Sequence, residues 1–135
     1  MHNHILIPVA LDHEQLIAGK IAAARHMLAE GGRITLLTVL ENVPGYVAEF
    51  VTVKPENHLT ARIKAKLDDV AEKEGGVETA VETGKAGVRI ASYASENNVD
   101  LIIIGSHKPN AQDYFLGSTA SRVARRAPCS VYIMR

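Results

Sequence analysis

Asp100-Leu-Ile-Ile-Ile-Gly-Ser-His107 decides the fold of this chain, and Gly117-Ser118-Thr119 follows ten residues after its end. An unbroken apolar run that stops at a glycine predicts a buried parallel strand ending at Ile104. Gly-Ser-Thr at the head of a new helical pattern predicts a helix N-terminus with a bare backbone and two hydroxyls. Such a terminus carries unpaired N–H groups and partial positive charge, which suits an anion. Together the two stretches point to a phosphate-bearing ligand. Neither specifies a reaction.

On either side of this stretch, strands and helices alternate. Ile5-Leu-Ile-Pro-Val9 predicts a first strand, and Asp12 with Gln15 three residues on forms a capping-box pattern. Ile17, Ile21, Ala24 and Leu28 recur at helical spacing until Gly31-Gly32. Arg33 to Leu40 predicts a second strand rich in β-branched residues. Residues 42–57 hold Pro44-Gly45 and Pro55 and form a long connection. Leu59, Ile63, Leu67 and Val70 mark a second helix, closed by Gly75-Gly76, and Val77 to Val81 a third strand. A Gly84-Lys-Ala-Gly87 turn leads to a third helix carrying Ile90, Ala91 and Ala94. A fourth helix carries Ala120, Val123, Ala124 and Ala127, and Ser130 to Met134 forms a fifth strand.

This alternation predicts one α/β domain over residues 1–135, doubly wound, with a five-stranded parallel sheet and helices on both faces. With strand order 3-2-1-4-5 the order reverses between strands one and four, where open α/β sheets bind their ligands. Pro8 to Asp12 would then face Gly105 to Lys108 across one cleft, and the Gly117 helix would start at the same edge.

Composition narrows the function classes. Fifteen basic and 15 acidic side chains give zero formal charge, against nucleic acid or an anionic membrane as the main partner. The single Cys129 excludes an internal disulfide and suits a reducing cytoplasm, where it reads as a small buried hydrophobe. No apolar run approaches the roughly 20 residues of a membrane span, and the start of the chain lacks a signal-peptide layout.

Individual residues carry two readings each. Gly105 admits a ligand to the backbone or merely ends a strand. Gly117-Ser118-Thr119 cradles an anion or merely opens a helix. His107 and Lys108 contact phosphate or ribose, or are solvated loop residues. No Gly-x-Gly-x-x-Gly follows the first strand and no Gly-x-x-x-x-Gly-Lys-Ser/Thr occurs, which excludes the usual dinucleotide and P-loop sites. His2 and His4 read as incidental rather than metal ligands, and Asp68, Asp69 and Glu72 as a solvated face. Arg122, Arg125 and Arg126 complement the dipole of the last helix. With no Ser/His/Asp or Cys/His set to assemble, no catalytic residue is expected. The chain reads as a non-enzyme.

Gly105-Ser-His-Lys-Pro109, Tyr114-Phe-Leu-Gly-Ser118 and Val123-Ala-Arg-Arg-Ala-Pro-Cys-Ser-Val131 resemble the universal stress protein family, in the form of its Gly-Ser-His-x-Pro branch. The resemblance spans the chain and is most specific in its last third. It implies an adenine nucleotide alpha hydrolase-like fold, a cytoplasmic stress-response role and a homodimer paired along the fifth strands. It also implies ATP, with Mg2+ accompanying it, bound through a Gly-x-x-Gly-(nine residues)-Gly-Ser/Thr motif.

Carried over by position, Gly105, Ser106, His107 and Lys108 form the loop, and Gly117, Ser118 and Thr119 hold phosphate. Pro8 and Val9 line the adenosine, and the Val39 backbone meets adenine. Lys108 replaces the second glycine, the spacer is one residue short, and Ala10 stands where ATP-binding members commonly carry an acid. These departures favour an alternative of the same fold: a nucleotide-free dimeric interaction module.

Overall fold

The three central strands of the sheet are apolar on both faces because helices cover both. In Ile5-Leu6-Ile7 no side chain is exposed, and the same holds for Leu36-Leu37 and Ile102-Ile103. Each such residue contributes about 1.5–3 kcal/mol through burial. The computed structural model describes residues 1–10, 16–41, 55–106 and 116–135. The Asp12–Gln15 capping box and the loop holding His107 and Lys108 lie outside the described residues.

The elements run β1 (His2–Pro8), α1 (Ile17–Met27), β2 (Leu28–Leu40), α2 (Pro55–Glu74), β3 (Glu78–Thr83), α3 (Ala86–Glu96), β4 (Leu101–Gly105), α4 (Ser118–Arg126) and β5 (Ser130–Met134). All strand pairings are parallel, as the alternation predicts, and the order is β3-β2-β1-β4-β5, the one that brings the ends of strands one and four to a single cleft. Ile5, Ile7, Ile34, Leu36 and Ile103 pack with Ile17 and Ile21 of α1 and Leu67 of α2. Leu6, Leu37, Ile102 and Ile104 pack with Ile90 of α3 and Val123 of α4 on the other face. Among the described residues no helix is long and apolar enough to cross a membrane.

Several boundaries differ from the periodicity. Leu28 is not helical: α1 ends at Met27, and Leu28 takes extended dihedrals and pairs with His2. The ladder to β1 offers its backbone partners that another helical turn would forfeit. Gly31-Gly32 therefore does not end the helix but absorbs the register shift, since His2 faces Leu28 while His4 faces Arg33. Gly31 sits at φ +77, and a Cβ on Gly32 would lie 2.7 Å from the Leu28 side chain.

β3 begins and ends later than predicted, because its register against Thr35–Leu40 runs from Glu78 to Thr83. α2 begins at Pro55, inside the predicted connection, in keeping with proline's fitness for a first helical turn. Ala124 is exposed despite its helical spacing; α4 turns only Ala120 and Val123 fully inward. Gly87 lies within α3, where a Cβ would come 2.6 Å from Arg122 Cβ, so it permits close approach of α3 and α4.

Candidate functional site

β1 is the strand from which the sheet order reverses, with β2 on one side and β4 on the other. The crossovers from β1 and β4 leave in opposite directions there, and the backbone ends diverge to leave a crevice. A cavity of about 450 Å³ occupies it. That volume falls within the roughly 300–1,000 Å³ typical of small-molecule sites.

Seven of the residues singled out from sequence meet in this cavity. Pro8 and Val9 come from the end of β1, Val39 from β2, Gly105 from β4, and Gly117, Ser118 and Thr119 from the start of α4. Ser106 is not among the lining residues. Its N–H donates to the Met134 carbonyl at 2.8 Å, and its own carbonyl accepts from the Gly117 N–H at 2.8 Å. This second bond ties the exit of β4 to the start of α4 and holds the two motifs at one edge.

The lining divides by chemistry. Leu37, Val39, Ile90 and Ile104 form an apolar floor. The Val9 N–H donates to Leu37 O at 2.8 Å, and the Thr38 hydroxyl donates to Val9 O at 3.0 Å. Both backbone groups of Val9 are thereby used. Because backbone groups alternate sides along a strand, Val39 directs its N–H and C=O to the same side as Leu37, beyond the end of β1. A planar heterocycle with a donor and an acceptor on one edge would match that pair.

The first turn of α4 forms the polar wall. Gly117 is its N-cap, at φ −59 and ψ 155, and no side-chain hydrogen bond caps the helix there. Those dihedrals do not require glycine, so the missing side chain serves space rather than conformation. α3, by contrast, has the Ala86 N–H in its first turn donating to Glu41 Oε1 at 2.6 Å. The first turn of α4 has no such side-chain partner, an arrangement that suits an anion.

Two further residues shape the wall, and only the second was not singled out from sequence. Ala10 lines the cavity, placing a methyl group there. Lys20 also lines it, and burial pushes its ammonium down from the ordinary lysine range. The signal for Lys20 was its spacing: three residues after Ile17, it stands at the edge of the inward arc of α1.

Residues that the sequence set aside behave as follows. His4 is 4% exposed, with Nδ1 at 2.9 Å from Asn97 O and Nε2 at 2.8 Å from Thr35 Oγ1. The Asn97 carbonyl only accepts, so Nδ1 carries a proton; in the neutral ring Nε2 then accepts from the Thr35 hydroxyl. His2 Nδ1 lies 3.4 Å from Asp100 Oδ1. Among the described residues no group of three or more His, Cys, Asp and Glu could hold a metal. Burial, and secondarily the charge of Asp100, push the Cys129 thiol up, away from thiolate reactivity.

Known proteins show the same pattern across the chain. Universal stress protein G of Salmonella typhimurium is 26% identical over 145 residues, covering 100% of both chains. The solved structure of universal stress protein UspA from Lactobacillus plantarum superposes with a TM-score of 0.66 at 25% identity, covering 98% of this chain and 97% of that one. A universal stress protein solved in complex with cAMP shares the fold, with a TM-score of 0.66 at 21% identity over 99% of this chain and 97% of that one. The profile of the Universal stress protein family matches residues 1–135. With that match over the sheet order and crevice just described, the chain belongs to the universal stress protein family.

Proposed function

We propose that this protein binds ATP or another adenine nucleotide in the β1–β4 crevice and acts as a regulatory, stress-response protein of the cytoplasm rather than as an enzyme. The observation that carries the reading is the meeting of three unlike surfaces in one cavity. They are the apolar floor with the outward Val39 backbone, the bare β4 exit at Gly105, and the uncapped start of α4. The first suits a base, the second a ribose, the third phosphates. A protein of this fold has been solved with cAMP, in keeping with an adenine ligand. Mg2+ would accompany ATP.

Isothermal titration tests the reading. Saturable heat with ATP is expected, and no heat at millimolar nucleotide would reject it. The methyl of Ala10 on the cavity wall supports a second reading, a nucleotide-free interaction module. Native mass spectrometry separates the two, since a bound nucleotide adds its mass to the purified protein.

The protein acts as a homodimer through β5 in this proposal, without nucleic acid or membrane as partner. Among the described residues β5 pairs with β4 on one side only, and Tyr132 and Ile133 are 45% and 36% exposed. An apolar edge of that kind invites a second copy. Val131→Pro should yield monomers or insoluble protein in sedimentation velocity; an unchanged dimer would refute this route.

A further inference from the structure

We propose that Lys20 is the cation of the crevice: its ammonium pairs with the phosphate chain of the ligand, opposite the first turn of α4, and makes the site select nucleotides over nucleosides. The assignment rests on the nucleotide-binding reading above and adds a residue on the other wall.

Placement is the first argument. The inward arc of α1 carries Ile17, Ile21 and Ala24, all buried. Lys20 flanks that arc, about 60° round the helix from Ile17, and is half-buried at the margin between the core and the cavity. The basic residues at the far end, Arg25 and His26, are exposed and complement the dipole. Lys20 stands near the opposite end, where the dipole disfavours a cation, and α1 has no acidic residue in its first turn.

The second argument is the absence of a counter-charge. Among the described residues no ion pair or hydrogen bond involves the Lys20 ammonium, and no carboxylate lines the cavity. Other half-exposed cations of the fold do find partners, as Arg33 does in Glu78 and Lys64 in Asp68. A partly desolvated ammonium without an anion costs stability in the free protein. Burial alone accounts for its lowered affinity for the proton, with no compensating charge. Such a locally unfavourable charge inside a cavity is explained by a ligand that completes it.

The third argument is topology. α1 packs on one face of the sheet and α4 on the other, yet residues of both line one cavity. An anion held there meets Lys20 from one face and the N–H groups of α4 from the other. The uncapped start of α4 and one ammonium form a field for more negative charge than a nucleoside carries. A chain of phosphoryl groups supplies it.

The test is calorimetric titration of wild type, Lys20→Met and Lys20→Arg with ATP and with adenosine, at low and high salt. Met keeps the length and apolar stem while removing the charge. Lys20→Met should weaken ATP by about tenfold or more, flatten its salt dependence, and leave adenosine within about twofold. Lys20→Arg should retain most of the ATP affinity. The melting temperature of ligand-free Lys20→Met should equal or exceed that of wild type, which shows the variant is folded. Equal loss for ATP and adenosine, or no loss for either, overturns the assignment.

If wild type binds neither compound, the nucleotide reading fails by itself, and inorganic pyrophosphate decides the cation's role. Pyrophosphate binding that Lys20→Met abolishes upholds an anion site at Lys20. No pyrophosphate binding to wild type overturns it.

Discussion

The two ends of the sheet use their polar groups in opposite ways. At the N-terminal end of β1 they are consumed. His4 is held by Asn97 and Thr35, and Asp100 accepts the N–H of Asn3 at 2.8 Å and of His4 at 3.3 Å. At the C-terminal end they are left over: the first turn of α4 has no side-chain cap, and Lys20 has no partner among the described residues. Paired groups buy a defined register for three strands. Unpaired ones lower stability and become useful only when something else pairs them. A polar end that is fully satisfied is structural, and one that is not is where a ligand belongs.

That contrast breaks if substitutions at the two ends have similar effects. The largest effect is expected at the satisfied end. His4→Leu removes the donor to the part-buried Asn97 carbonyl and leaves the buried Thr35 hydroxyl only Glu78 Oε2 at 3.4 Å, at about 2–4 kcal/mol in all. Urea midpoints should fall accordingly while ATP affinity of the folded protein stays within about twofold. A large loss of affinity without a loss of stability would erase the distinction between the ends.

Gly117→Val should do the reverse. Its φ −59 and ψ 155 suit valine, so the cost in stability stays under about 1 kcal/mol. The isopropyl group fills the space at the α4 terminus, and calorimetry should show ATP weakened by about tenfold or more. Unchanged affinity would move the phosphates away from α4.

The smallest effect concerns acid. Burial pushes the Asp100 carboxyl up, but the N–H groups of Asn3 and His4, together with His2, outweigh it and hold the carboxyl below the usual range. A folded-state pKa below the unfolded one means that stability is present above about pH 4 and lost as pH falls through the folded value. Asp100→Asn should cost about 1 kcal/mol or less at neutral pH, because the group is part exposed, and should flatten the acid limb of the stability profile. An acid limb of unchanged slope would show that other carboxylates govern it.

How much of this was legible without coordinates depends on the range of each interaction. Apolar runs at Ile5–Ile7 and Leu101–Ile104 announced buried strands because period and composition are local properties. The start of β2 was not legible. Gly31-Gly32 looks like a helix stop from its neighbours, whereas pairing of Leu28 with His2, far away in sequence, made it a register shift. His4 read as incidental because its partners are 31 and 93 residues distant. Lys20 drew no attention in the sequence because a single charge beside a helical stripe has many innocent explanations.

The amino-acid order alone determined the alternation of strands and helices, the family resemblance, and which residues stand at the ends of β1, β4 and α4. Backbone propensity and hydrophobic period act over a few residues, so they survive in one dimension. Tertiary structure decided which of those ends share a cavity, that Ser106 stitches the edge instead of lining it, and that Lys20 enters from the opposite face. Those facts depend on sheet order and on which polar groups find partners, and partnership is a property of the folded whole.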